Sequence, residues 1–497
     1  MTIELSNIIF TDQDDVVPQS GIEQIVNTGI ANALGGNDVI TGTGVYGFEN
    51  FGSAIFNTDD GNDTITGSGI IDGITIASGS TFDTGKGDDI IIGNASSEFG
   101  LRNSGTLTTD NGNDIITGTG GLYGISTNPD STLDTGEGND IITGIGRSSL
   151  GILNFGTINT GNAEDSIVAQ GGLLNISRMF LGDGNDSLDI TLDYSNTPFR
   201  TVAFRNYGVI ETGDGNDIIS TNNVIHNRGI INTGNGEDSI IIVDNFGFYY
   251  NIDNDDGIID TSNGNDSIIA DGGFNGRPGS NISNTGTITT GNGEDFLIIS
   301  NGIFTNRGNV FLGEGNDSIT ANVDLPNRAI ENFNFIGTGD GNDVITSNGV
   351  IYNEGVIETG NGDDSIIVDA GMDDLTGTSY GIYNNGGAIN MGDGNDSIIA
   401  NQGFESGPNS SGTWFLGEDD DYIKGYGSGD FYGGNGNDTL ELTPGTYTVG
   451  IWGEGGESPI FTKGDQLMIT SEFEKLKAGS TIYDFTSLTA GQIIVVA

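Results

Sequence analysis

The chain contains no cysteine, one histidine, 8 prolines and only 14 basic residues among its 497. Without cysteine there are no disulfides, thiolate zinc sites or cysteine nucleophiles. The lone histidine, His226, stands beside Asn227 with no motif around it, so a Ser-His-Asp machine would rest on a single residue. Lys plus Arg total 14 against 70 Asp plus Glu, giving a formal charge of −56. Nucleic acid and anionic membrane surfaces are therefore poor partners, and cations are the natural counterpart. No apolar run approaches the length that spans a bilayer, and Met1 to Asp15 lacks the basic-then-apolar order of a cleavable export signal. The expectation is a soluble protein without membrane insertion.

What is abundant is glycine, 86 residues, and it is periodic. A turn of the form Thr-Gly-x-Gly-Asn-Asp-x-Ile recurs, its last Asp falling at Asp38, Asp63, Asp89, Asp114, Asp140, Asp165, Asp186, Asp217, Asp238, Asp266, Asp295, Asp317, Asp343, Asp364 and Asp396. The spacings run from 21 to 32 residues, which describes one unit of roughly 25. Ile or Leu stands two residues after every one of these Asp residues, from Ile40 to Ile398. Eleven residues before, Asn occupies eleven of the fifteen coils, from Asn27 to Asn385; Asp255 takes the place once, and Gly52, Ser78 and Pro129 are exceptions. Taken at face value, a fixed Asn-to-Asp distance confines insertions to the stretch between one Asp and the next Asn, on one edge. Asp189 to Thr201 and Asp369 to Tyr380 are such insertions, and the best candidates for specific recognition.

In a unit such as Ile351 to Val368, alternation of period two over Ile351 to Glu358 predicts a strand with one inner face. Thr359 to Asp364 reads as a glycine-permitted turn and Ser365 to Val368 as a second strand. Stacking such units gives an all-β parallel β-helix, or β-solenoid, of about 16 coils. Asn side chains stacked from coil to coil would form an amide ladder at a bend. Residues 1–26 read as an N-terminal cap and 27–415 as solenoid; neither Met1 to Gln24 nor Thr443 to Ala497 shows the turn.

Identical Asp residues in neighbouring coils repel one another by roughly 1 kcal/mol per pair in water and several-fold more at lower dielectric, so something must neutralise them. Calcium, with 6–8 oxygen ligands and tolerance for backbone carbonyls, suits a Gly-rich turn better than magnesium does. Here the sequence resembles the RTX, or haemolysin-type, calcium-binding repeat proteins. Gly433-Gly434-Asn435-Gly436-Asn437-Asp438-Thr439-Leu440 matches the family nonapeptide over its first eight positions, and most other copies replace the first Gly with Thr. The resemblance implies a right-handed solenoid with multiple Ca2+ ions held between coils by these turn Asp residues and by the carbonyls of Gly61, Gly87, Gly112, Gly138, Gly184, Gly215, Gly236, Gly264, Gly293, Gly315, Gly341, Gly362, Gly394, Gly434 and Gly436. Asp421, Asp430 and Asp438, nine and eight residues apart, give residues 416–442 the tandem form usual in that family, and they join the expected ligands. The resemblance also implies type I secretion, with residues 443–497 serving as cap and signal, and Asp484 to Ala497 looks like such a signal.

The expected function is that of a secreted, calcium-folded structural protein of a cell-surface layer, sheath or filament, self-associating and not an enzyme. An adhesin that binds cell-surface polysaccharide is the first alternative, with Phe246 to Tyr250 and Trp414-Phe415 as exposed aromatics. A β-helical polysaccharide lyase, hydrolase or epimerase is the second, weakened by the scatter of the basic residues. An ice binder ranks last, because Thr287-Ile288-Thr289-Thr290 finds no repeat in register.

Overall fold

The computed structural model describes residues 2–19, 22–192, 202–243, 250–272, 280–323, 327–369, 379–407, 412–453 and 458–497. Most of both insertions named above and residues Phe246 to Tyr249 lie outside these. The chain forms two compact units, residues 1–243 with 257–260 and residues 244–256 with 261–497. Each is a parallel β-solenoid, and the described residues hold no helix beyond the single 3-10 turns Leu5–Asn7 and Phe485–Ser487. No helix among them is long and apolar enough to cross a membrane.

A coil has three strands rather than two. In the second unit these are Val350–Asn353, Val356–Asn361 and Ser365–Val368, each paired in parallel with its counterpart in the next coil through Ile351 to Ile382, Ile357 to Ile389 and Ile366 to Ile398. The strand expected across Ile351 to Glu358 breaks at Glu354-Gly355. A side chain at Gly355 would come within 2.0 Å of the Asn334 carbonyl oxygen, so this coil's corner is closed by glycine, although Asn334 holds the same place one coil earlier. The apolar residue two past each turn Asp forms the expected internal ladder. Ile40, Ile65, Ile91, Ile116 and Ile142 in the first unit, and Ile319, Ile345, Ile366 and Ile398 in the second, are fully buried, each contributing roughly 1.5–3 kcal/mol.

The amide ladder is present but follows geometry, not a fixed count. Asn27 donates its Nδ2 hydrogen to Asn50, 2.9 Å away, and not to a residue at position 52. Thr127 takes the rung expected at Pro129 by donating to Asn154, Asn254 replaces Asp255, and Asn384 replaces Asn385. Ile76 occupies the rung near Ser78, between Asn50 and Asn103. The corner between this rung and the turn thus accepts one or two extra residues, so insertion is not confined to the opposite edge. Where the ladder runs unbroken it is fully bonded: Asn332 Nδ2 donates to Asn353 Oδ1 at 2.8 Å and to the Val356 carbonyl at 2.9 Å.

Both end segments join the coil stack. Val16–Val17 pairs in parallel with Val39-Ile40, and Lys475–Ala478 pairs in parallel with Thr439–Leu442. The C-terminal end is then closed by antiparallel strands: Thr481–Asp484 on Lys475–Ala478, and Ser458–Lys463, Gly445–Trp452 and Ile493–Val496 in succession. Ile494 and Val496 are buried there while Ile493 and Val495 face outward.

Candidate metal-binding ladder

The turn aspartates form a continuous hydrogen-bonded column within each unit. In the first, the backbone N–H of Asp15, Asp38, Asp63, Asp89, Asp114, Asp140, Asp165, Asp186 and Asp217 each donates to Oδ1 of the next coil's Asp at 2.7–2.8 Å, ending at Asp238. In the second, Asp266, Asp295, Asp317, Asp343, Asp364, Asp396 and Asp421 do the same at 2.8–2.9 Å, ending at Asp438. The Asp438 N–H in turn donates to Glu474 Oε2 at 2.7 Å. Asp15 and Glu474 escaped the sequence reading because their turns carry no Gly-x-Gly; their only signal is the buried Val17 and Leu476 two residues on.

Asp430 lies elsewhere. It sits half-buried in the strand Gly429–Asn435, opposite Thr413, and faces no turn. Residues 416–442 add one short coil of the same solenoid, with Asp421 and Asp438 as adjacent rungs. The nine-residue spacing from Asp421 reflects a shortened coil whose Phe431 stacks on Trp414 in the core.

With Oδ1 committed, the second oxygen is exceptional. The turn Asp side chains are 0–2% exposed. Oδ2 of Asp38, Asp63, Asp89, Asp114, Asp140, Asp165, Asp186, Asp295, Asp317, Asp343, Asp364, Asp396, Asp421 and Asp438 is buried without a hydrogen bond. Thr58, Thr109, Thr135 and Thr160 each donate to the carbonyl of the equivalent residue one coil on, while their hydroxyls, lying beside Asp63, Asp114, Asp140 and Asp165, partly offset the upward push of burial on those carboxyls. Asp217 differs, since Thr212 reaches its Oδ2. Burial, reinforced by neighbouring carboxylates, pushes these groups up to about 8 at Asp89 and Asp396 and to about 7 at Asp114, Asp165, Asp186, Asp317 and Asp421. At Asp38, Asp140, Asp364 and Asp438 it pushes them to about 6.

The glycines stack as closely as backbone can. A Cβ on Gly215 would lie 1.5 Å from the Gly184 carbonyl oxygen, and Gly215 has φ +147°. Outside this row runs a second column that the sequence reading missed. At many turns the residue before the Asp donates its N–H to the side-chain oxygen of its counterpart in the preceding coil, an Asn for Asn62 to Asn37, Asn342 to Asn316 and Asp363 to Asn342, and an Asp for Asn395 to Asp363, at 2.7–2.8 Å. The Asn in Gly-Asn-Asp was its signal. The two columns donate in opposite directions along the stack.

A cation fits this site by its donor set: a buried carboxylate oxygen with no partner at each turn, and main-chain carbonyls bare of side chains. Among the described residues no three acidic or histidine side chains converge. A calcium ion here would thus take one or two carboxylates and draw its remaining ligands from backbone carbonyls.

No family model matches the chain, and no curated protein sequence does. Among solved structures it is similar to a hyperactive, Ca2+-dependent, β-helical antifreeze protein from an Antarctic bacterium, at 18% identity over 78% of this chain and 83% of that one, with a TM-score of 0.29.

Groups relevant to the other readings also have defined places. His226 packs edge-on against Tyr207. Arg307 and Arg328, scattered in sequence, lie over Phe333 and Tyr352, and Arg328 is also paired with Glu331 at 3.2 Å. The Tyr352 phenol is pushed up to about 12 by burial and the Glu354 carboxylate, away from what a base at neutral pH requires. Trp414, expected on the surface, is fully buried between Phe404 and Phe431; its neighbour Phe415 does face outward, stacked on Tyr432. Threonines do align over part of the first unit: Thr81, Thr106, Thr132 and Thr157 form one column in register, bounded by Ile55 and Arg178.

Proposed function

We propose that this chain is a calcium-dependent structural protein that folds outside the cell and serves a surface layer, sheath or filament. The row of buried carboxylates, each with one oxygen unpartnered, carries this reading, because an anion so placed requires a cation or a proton. The turn Asp residues and the carbonyls of their flanking glycines would hold the ions. Calcium supplies there the charge that lets buried carboxylates stay ionised. In calcium-poor cytosol the chain would remain unfolded and exportable, and millimolar external calcium would drive folding by mass action. We read it as non-enzymatic, since the arginines brought together at Tyr352 and Phe333 are spent on packing.

The test is circular dichroism with light scattering while calcium is added to chelator-treated protein. A coil-to-β transition that magnesium does not reproduce is expected, with scattering growth marking assembly. A β-signal that is full in chelator at neutral pH and unchanged by calcium overturns the calcium reading; a transition without scattering growth overturns the self-associating part alone.

The column Thr81, Thr106, Thr132 and Thr157 favours a second reading, an ice-binding face, since parallel strands repeat hydroxyl and methyl groups about every 4.8 Å. It spans only four coils, which ranks it second. Thermal hysteresis of the calcium-loaded protein, abolished by Thr106→Tyr, would establish it, and absence of hysteresis would end it.

A further inference from the structure

On the outer side of the turns that carry the Asp ladder, the second unit has a hollow of about 400 Å³ bounded by Phe311, Phe335, Glu358, Asp340 and Asp393. Strand register explains how it forms. Phe311, Gly337 and Glu358 occupy one outward position in three successive coils. The missing side chain at Gly337 leaves a gap into which Phe335 leans; a Cβ there would fall 2.7 Å from its Cε1. The two phenyl rings then stand with centroids 5.2 Å apart, and Phe311 remains 44% exposed. The floor is backbone, the glycines of successive turns. Along the rim, Asn361 donates to Asp340 Oδ1 at 2.6 Å, while Glu358 is open to solvent. Among the described residues that line it, none is basic.

From this combination we infer that the hollow binds an organic cation, a guanidinium or alkylammonium group. Aromatic faces attract such a cation through their quadrupole, and carboxylates accept its N–H hydrogens or balance its charge. The chain's charge of −56 concentrates cations at its surface and repels acidic sugars. A bare metal ion would gain nothing from the phenyl wall. The hollow shares its glycine floor with the calcium turns, but its aromatic wall and Glu358 stand outside the Asp column, and the inference goes beyond the structural function.

The experiment is isothermal titration of the full chain in saturating calcium and moderate salt, with agmatine, tetramethylammonium and a blocked Gly-Arg-Gly peptide as probes and methyl β-glucoside as the neutral comparison. A saturable one-to-one isotherm is expected for the cations, weakened at least tenfold by Phe311→Ala and several-fold by Glu358→Gln. Agmatine stronger than the peptide indicates a free small cation, and the reverse a side chain of a partner; either supports the inference. Both positions are exposed, and unchanged thermal melting will show that the variants fold; should Phe311→Ala not fold, Phe311→Leu removes the ring while keeping the bulk. Uptake that never saturates, or that neither variant alters, is counterion condensation and overturns the proposal. So does an isotherm for the glucoside alone.

Discussion

Stripped of divalent ions at neutral pH, the protein is expected to lose most of its β-sheet circular dichroism, and to regain it on acidification to about pH 4.5 with no metal added. The eleven turn carboxylates raised to between about 6 and about 8 bind protons more tightly folded than unfolded, where an aspartate titrates near 3.9. Between those limits the folded state holds more protons, so metal-free stability is greatest below about pH 4 and falls as pH rises toward 8. A tenfold change in proton affinity is worth about 1.4 kcal/mol. All eleven shifts act in the same direction, and an ordinary domain has a net stability of only roughly 5–15 kcal/mol to set against them. Calcium reverses the slope, because it requires the ionised carboxylate: the loaded protein should be stable at neutral pH and weaken as protons displace the ion. Acid also lowers the overall negative charge, but 1 M salt separates the two effects. Salt screens surface charge within about 3 Å and leaves the buried column unrelieved, so it should not substitute for acid. Metal-free melting that does not change between pH 4.5 and 8 would contradict the ladder as the seat of this behaviour.

The second large effect concerns the stacked glycines. Gly315→Ala should separate the coils on either side and destabilise the calcium-loaded second unit by on the order of 3 kcal/mol or more, read as a lowered urea midpoint. Gly315 has φ +148°, which an L side chain rarely adopts, and its Cβ would fall 1.6 Å from the Gly293 carbonyl oxygen. The obstruction is backbone, and where the same place carries a side chain, at Ala163 and Asp419, φ is shifted to +105° and +78°. Gly52→Ala is the matched control: its φ is also positive, +68°, but a Cβ there meets nothing within 4 Å. It should cost about 1 kcal/mol from backbone strain alone. Equal losses at the two sites would show that backbone conformation, not coil stacking, fixes the glycine pattern.

The coil, its buried Ile and the Asp column were legible in the sequence because each depends on one residue type at one register. The amide ladder was legible only in part. Its rungs are set by where a side chain can reach the next coil, so Asn50, Thr127, Asn254 and Asn384 carry it from positions that a fixed count passes over. The same holds at the ends: Glu474 completes the Asp column with a longer side chain in a turn that shares none of the consensus. Asp430 shows the opposite error, a residue at suggestive spacing whose strand lies away from the turn. The Phe311–Phe335 hollow had no local signal at all, since it arises from a glycine and two aromatics brought together by register between coils.

The Asp column at the turn ties coil to coil through the same backbone N–H and Oδ1 atoms along each unit, while the outer column beside it accepts through Asn at some coils and Asp at others. The Asp column is therefore a uniform join: a duplication or deletion of one repeat leaves each remaining Asp-to-Asp bond with a partner of the same kind, provided the terminal rungs at Asp15 and Glu474 are kept. Gene-level changes in repeat number would then alter the protein's length without inventing new chemistry, a form of variation that ordinary globular cores do not tolerate.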